Sequence, residues 1–567
     1  MTHSSTPPRH LLQQPLLSLL LLAFAPCAAA QTTPVVPDAG AILRQLQPAT
    51  PANAPPGAPA LRIEQKEGAP LPASVPFLVT QIDISGNSAF DTATLQALVA
   101  SAHGTTLSLE QLSELAARIT SYYRAHGYPL ARAIVPAQTI RQGIVRIELL
   151  EARYGQVGIA NQSDVSDALL NATLAPLQAG QTISQAELDR SLLLLSDIPN
   201  VAITATLKPG AEVGSSDLLV DAWSGPRMAG NAFLDNNGNR YTGRARLGAT
   251  VYLYNPLHQG DVASASVLSS GKGMSYARLG YDLLLNGAGT RAGVAMSALR
   301  YRLQGAMRPL EAHGTAQVAS GWLRHPLLRS RDANMSIQLQ YDQVHLRDRI
   351  DASAMRSDRR LDNLSATLDG DVRDAALAGA ITSWSVAATA GKLDITDPLA
   401  RLNDAFSARS HGNYAKWNVN LSRLQNLDQR NAVYLTVAGQ WADGNLDSSE
   451  KMSVGGPYTV RAYDVGAAAG DLGYFGSAEW RHELSASEAG QWQAVAFLDS
   501  ARVTVNQQRW SAGPNSARLH GAGLGVNWAG GQQWNARAYV AKPIGGTPVL
   551  LAARSSARLW VELNRRF

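Results

Sequence analysis

The chain has 567 residues, 16% of them charged, and a formal net charge of +5. That length favours several folded units over one core. The positive excess comes from scattered arginines rather than a basic tract, so a nucleic-acid partner gains no support.

The first thirty residues carry Arg9 and His10, an apolar run from Leu16 to Ala25, and Ala28, Ala29 and Ala30 before Gln31. This is the layout of a secretory signal peptide, expected over residues 1–30. Cys27 is the only cysteine. It could be read as a lipoprotein acceptor, but Pro26 before it and the lack of a Leu three positions upstream argue against that. Cleavage after Ala30 would leave a mature chain without disulfides or a thiol nucleophile. Beyond the leader no run of eighteen apolar residues occurs, so a membrane-spanning helix is not expected, whereas a barrel with alternating faces is compatible with the composition.

In residues 31–47 the segment DAGAILRQLQ places Ile42, Leu43 and Leu46 on one helical face. A stretch with eight prolines between Pro48 and Pro76 follows. It reads as an extended linker over 48–75, because proline lacks the donor that a helix or ladder uses. From Phe77 strands and helices alternate. FLVTQIDISGN reads as a strand. Ser108 to Gly127 reads as a helix, with Leu112, Leu115, Ile119 and Tyr122 on one face and a capping box of Ser108 and Gln111. Strands LARAIVPAQT and GIVRIELLEA come next. The order then recurs: a strand GQVGIAN, helices from Ser163 to Leu174 and from Ser184 to Ser196, and strands NVAITATLKPG and DLLVDAWSG. Two α+β modules are therefore expected, at 76–152 and 153–225.

After Pro226 the period becomes two and stays so to the end. Trp417, Val419 and Leu421 oppose Asn418, Asn420 and Ser422; Leu559, Val561, Leu563 and Phe567 oppose Trp560, Glu562, Asn564 and Arg566. The 342 residues of 226–567, at roughly 20 per strand and connection, predict an all-β transmembrane barrel of about 16 antiparallel strands.

These segments resemble the TpsB transporters of bacterial two-partner secretion, the ShlB/FhaC/HecB-like group of the Omp85 superfamily. The two modules look like POTRA domains, and RSLLLLSDIPNV resembles a helix end and strand start of one. LDNNGNRYTGRARLGATVYLYNPLHQGD resembles the first barrel hairpin of that family; HPLLRSRDANM and GNLDSSEKMSVGGPYTVRAY resemble later segments. Val460, Arg461, Ala462 and Tyr463 stand where the superfamily has its VRGY or VRGF loop. The resemblance implies an inward-folded lumen loop whose Arg461 is locked to Asp499 of an F-x-D motif that includes Phe497. A guanidinium in a partly dry lumen needs such a planar carboxylate partner. Ala462 departs from the usual glycine, which is costly if the loop requires a positive φ there.

The same resemblance implies an outer-membrane location, a plug formed by the Ile42, Leu43 and Leu46 helix, and POTRA-like modules in the periplasm that bind a large secreted exoprotein of haemolysin, haemagglutinin or adhesin type. It also implies contact with outer-membrane lipid, and a terminal strand, with Leu563 and Phe567, that the barrel-assembly machinery reads. No cofactor and no metal are expected. An enzyme is not expected either, since G-x-S-x-G and H-E-x-x-H are missing and GAGLGVNW from Gly521 reads as a strand. The alternative reading is an Omp85-type assembly factor, which usually carries more POTRA modules and lacks the proline-linked helix.

Overall fold

The computed structural model describes residues 36–46, 60–64, 74–551 and 556–567. The leader expected at 1–30 and most of the linker expected at 48–75 lie outside them. The first described element is helix α1, Ala39–Leu46. Strand β1, Ala60–Ile63, follows, within the stretch read as an extended linker. It occupies the proline-free run between Pro59 and Pro70, where every residue keeps its N–H and can join a ladder.

The first module contains β2 (Phe77–Val79), β3 (Gln81–Ser85), α2 (Thr92–Val99), β4 (Thr105–Leu107), α3 (Leu109–Ala125), β5 (Arg132–Ile134) and β6 (Ile144–Leu150). Its main sheet runs β3-β6-β5, while β2 pairs with β4. The run expected as one strand is thus split at Thr80, whose N–H donates to the Gly143 carbonyl at 2.8 Å. Helix α3 starts at the Ser108–Gln111 capping box and buries Leu112, Leu115, Ala116, Ile119 and Tyr123. Tyr123 rather than Tyr122 completes that face, because it lies four residues beyond Ile119 and Tyr122 falls at the rim. Helix α2 was not expected; it is only eight residues long and is started by Asp91, which accepts from Thr94 N–H at 2.7 Å.

Glu151 ties the end of this module to its beginning. Its carboxylate accepts from the N–H groups of Ser88 and Ala89 at 2.7 and 2.8 Å, from the Ser88 hydroxyl and from Tyr123 Oη. Burial opposes its ionisation, yet the donors from Ala89 and Ser88 overcome this and hold the carboxyl below its ordinary value. A depressed carboxyl stabilises the fold above its unfolded pKa and loses that contribution as pH falls through the lowered folded value. Glu151→Gln, which turns an NH2 toward those donors, should cost the module about 1–3 kcal/mol. Amide exchange of β6, corrected for intrinsic rates, should accelerate in the variant at about pH 7, whereas the native protein should show the change only on acidification below the ordinary glutamate range.

The second module contains β7 (Arg153–Gln162), α4 (Asp167–Leu174), α5 (Gln185–Ser196), β8 (Val201–Pro209) and β9 (Ser215–Ser224). Its four-stranded sheet runs β1-β8-β9-β7 and packs on a core that includes Leu170, Leu188, Leu192, Leu195, Ala205 and Val220. Helix α4 begins at Asp167 rather than Ser163, because the Asn161 side chain accepts from both the N–H and the hydroxyl of Ser163 and holds that segment in a turn.

The rest of the chain closes on itself. Sixteen antiparallel strands among the described residues, from Met228–Asp235 to Arg558–Arg566, pair with their sequence neighbours, and the first pairs with the last over Asn231–Asp235 and Glu562–Arg566. Closure removes the exposed edges that an open sheet of this size would carry. The outer wall is apolar, with Leu247, Leu279, Val294, Leu364, Trp417 and Leu421 exposed, as a lipid-facing surface requires. Short turns lie at one mouth, and the second module is docked on them. Arg329 forks onto Asp197 at 2.7 and 2.8 Å, Arg331 reaches Asp189 at 2.8 Å, and Ser166 N–H donates to the His258 carbonyl at 2.9 Å.

Candidate functional site

The connection 443–471 between strands Asn431–Ala442 and Leu472–Glu483 enters from the mouth opposite the modules. It carries a small hairpin, Met452–Val454 with Ala468–Gly470. Its side chains reach widely separated parts of the wall: Asp447 pairs with Arg359 at 2.5 Å, Glu450 with Lys416 at 2.5 Å, and Asp464 with Arg244 and Arg558 at 2.8 Å each. Contacts to opposite sides of a closed barrel place this loop in the lumen.

At its centre the structure brings Arg461, Asp499 and Phe497 together. Arg461 Nε and Nη2 donate to the two oxygens of Asp499 at 2.9 and 2.7 Å, and its backbone N–H adds a third bond to Asp499 at 3.0 Å. The guanidinium carbon lies 3.4 Å from the Phe497 ring centroid. Two further partners were not foreseen: Glu479 accepts from Nη1 at 2.6 Å and Ser477 Oγ from Nη2 at 3.0 Å. Four of the five guanidinium donors are thereby used. Trp560 Nε1 also donates to the Arg461 carbonyl at 2.7 Å. Nothing in a period-two pattern separates Glu479 from any other inward polar residue. Its cue is register, since Glu479 lies opposite Phe497 and Ser477 opposite Asp499.

Val460, Ala462 and Tyr463 are buried beside this pair. Ala462 does not adopt a positive φ; the left-handed positions of the loop are Gly455, Gly456 and Gly466. The strain anticipated for an alanine here is therefore absent, because those glycines make the turns. Ala462 instead packs on Gly521, where an added Cβ would come within 2.6 Å of its methyl group.

Helix α1 lies in the same lumen. Ala39, Ile42 and Leu43 are buried against a wall cluster that includes Leu299, Tyr301, Val344, Leu346 and Leu393, with Leu46 packed at its margin. Burying Ile42 and Leu43 contributes about 1.5–3 kcal/mol each. Polar contacts fix the helix ends. Asp38 caps it through Ala41 N–H at 2.8 Å, accepts from Ser448 Oγ at 2.7 Å and pairs with Arg359 at 2.9 Å. Asp348 accepts from Ala39 N–H at 2.8 Å and from Tyr301 Oη at 2.6 Å, and pairs with Arg359 at 2.6 Å. At the other end Asn239 donates to Gln45 Oε1 at 3.0 Å. The helix also rests on the loop, since a Cβ at Gly40 would come within 2.5 Å of Ser448 Oγ. Arg359 is therefore shared by wall, helix and loop, and a lone arginine on a strand gave no sequence sign of it.

Leu563 and Phe567 lie elsewhere, on the last strand. Leu563 faces outward opposite Leu234, and Phe567 exchanges backbone bonds of 2.8 and 3.0 Å with Gly230 across the closing seam. Both side chains are exposed on the outer face of the wall, whereas the Arg461 contacts lie in the lumen.

The chain matches the family description "Haemolysin secretion/activation protein ShlB/FhaC/HecB" over residues 214–528, and "POTRA domain, ShlB-type" over residues 77–152. It is 30% identical over 451 residues to the heme/hemopexin transporter protein HuxB of Haemophilus influenzae, spanning 78% of this chain and 79% of that protein. It is 23% identical over 442 residues to the outer membrane transporter CdiB of Dickeya dadantii, spanning 74% and 75%. The solved structure of CdiB from Escherichia coli has the same fold, with a TM-score of 0.70 at 20% identity, covering 94% of this chain and 96% of that one. With a barrel of sixteen strands, a POTRA module and a match over more than half its length, the chain belongs to the ShlB/FhaC/HecB family, the outer-membrane transporters of two-partner secretion.

Proposed function

We propose that the chain exports a large exoprotein of haemolysin, haemagglutinin or adhesin type by passing it unfolded through the lumen, as a channel rather than an enzyme. The two modules take hold of the exoprotein in the periplasm at their sheet edges, where backbone donors and acceptors bind an extended chain with little regard for sequence. Helix α1 is the removable plug. The bond set of Arg461, Asp499 and Glu479 keeps the lumen loop ordered, and the outward Leu563 and Phe567 present the final strand to the barrel-assembly machinery.

The observation that carries this reading is a short helix seated in the lumen by its buried apolar face and by side-chain bonds, outside the backbone ladder of the barrel. Such a seal can leave without unravelling the barrel. Deleting residues 77–152 should abolish exoprotein capture while the barrel still runs as a heat-modifiable species in gels. Export that survives the deletion would remove the first module from capture.

A further inference from the structure

Side-chain alternation leaves a group of arginines on the outside of the barrel. On strand Arg291–Arg302, Leu299 and Tyr301 are buried in the lumen cluster, so Ala298, Arg300 and Arg302 point outward, where they are exposed. On strand Ala333–Ile350, Leu346 and Asp348 face the lumen, which turns Arg347 and Arg349 outward. Register sets Arg300 and Arg347 on either side of Thr315, and Arg302 and Arg349 on either side of His313. Neighbouring cations therefore stand about 7 Å apart along a strand and about 10 Å apart across the strand between them. The nearby acids are taken: Asp358 pairs with Arg349 at 2.7 Å and Asp351 with His313 at 3.2 Å. Among the described residues Arg300, Arg302 and Arg347 take no ion pair.

These arginines lie at the end of the wall away from the periplasm. The turn that precedes strand Arg291–Arg302 sets Gly287 against Ala172 and Gly289 against Leu194 of the second module. The strand ends at the opposite mouth, where Gln304 N–H donates to the Tyr241 carbonyl at 2.7 Å. Toward the membrane centre the same face turns apolar, with Leu279, Val294 and Met296 exposed. Arg300, Arg302 and Arg347 thus border the lipid-facing band on its outer-leaflet side.

Beside them the outer wall holds a groove of about 750 Å³, lined by Ala232, Ala249, Ala277 and Ala298 and reaching Arg300 and Gln317 at its margin. Short side chains make the depression, and in a bilayer an apolar depression is filled by hydrocarbon. The occupant must also carry anions, because three unmatched guanidinium groups stand at the groove's polar end and their forked donors fit phosphate. Acyl chain and phosphate are combined in a lipid, and the groove is continuous with the surface that lipid already covers.

We propose that this groove and the arginines above it bind a phosphorylated, multiply acylated glycolipid of the outer leaflet, with an acyl chain against Ala277 and Ala298 and its phosphates on Arg300, Arg302 and Arg347. Phosphates on separate sugars of one molecule engage cations about 7–10 Å apart together, whereas a glycerophospholipid brings a single phosphate. The inference needs only the outer-membrane location and is independent of the export reading.

The test uses purified full-length transporter in non-ionic detergent and three probes: lipid A with two phosphates, the same lipid A stripped of phosphate, and phosphatidylglycerol. Native mass spectrometry reads the fraction of protein that retains one lipid across a titration. Phosphorylated lipid A should bind roughly ten- to hundred-fold more tightly than either other probe, the size expected for three cationic contacts at a membrane surface. Arg300→Gln with Arg302→Gln and Arg347→Gln should abolish that preference. Ala298→Phe, which fills the groove from the lipid side, should weaken both forms of lipid A with the arginines intact. All four positions lie on the outer face, and heat-modifiable gel mobility checks that each variant keeps its barrel. Equal retention of the two forms of lipid A by the native protein, or an undiminished preference in the triple variant, would overturn the phosphate site. Phosphatidylglycerol held as tightly as lipid A would overturn the assignment to a glycolipid, and binding unchanged by Ala298→Phe would overturn the groove.

Discussion

Arg461→Ala should leave a heat-modifiable barrel in the outer membrane and sharply lower the amount of exoprotein in the medium. The wall is built from backbone pairing that the substitution does not touch. What it removes is the arginine that forks onto buried Asp499 at 2.7 and 2.9 Å and one of the two arginines on Glu479, which keeps its pair with Arg481. Leaving buried charge unpaired costs roughly 3–5 kcal/mol. Since each 1.4 kcal/mol is about a factor of ten in a population, the loop should leave its present position in most molecules. Arg461→Lys should restore little, because an ammonium cannot reproduce the fork on Asp499 or the stacking on Phe497. Exoprotein in the medium, normalised to barrel in the outer membrane, is the readout; a normal ratio would remove Arg461 from the mechanism.

Ile42→Asp should open the channel. Ile42 is 1% exposed in the lumen cluster, and an unpaired carboxylate there costs several kcal/mol. That exceeds the contribution of one buried apolar side chain to an eight-residue helix, which is itself too short to be stable outside its packing. The polar contacts of Asp38 and Asp348 would not hold the helix against this. Conductance of the purified protein in planar bilayers should rise well above that of the native protein, while Ile42→Val, which loses one methylene, should change little. Unchanged conductance in Ile42→Asp would mean that α1 does not seal the pore.

The barrel was legible because its two faces meet different solvents. Trp417 and Leu421 face lipid, while Asn418 turns inward to bond Gln440 at 2.9 Å, and that contrast is written at period two. Helix α3 was legible because its cap and its buried face lie within one stretch of chain. What the sequence hid are relations between distant segments. Arg359 collects Asp38, Asp348 and Asp447 from a helix, a wall strand and a loop; each of these is an ordinary polar residue in its own neighbourhood. Strand β1 was obscured in a similar way, because its four residues form a strand only through the β8 edge, far along the chain. Arg461, Phe497 and Asp499 were found through family resemblance, and Glu479, with no motif around it, was not.

The most direct test of the account is the amount of the candidate partner exoprotein in culture medium from cells with and without this chain, with fractionation to locate the barrel. The account predicts barrel in the outer membrane and exoprotein in the medium only when the chain is present. A barrel in the outer membrane with no effect on exoprotein, but with altered levels of other outer-membrane proteins, would contradict it and point to an assembly factor.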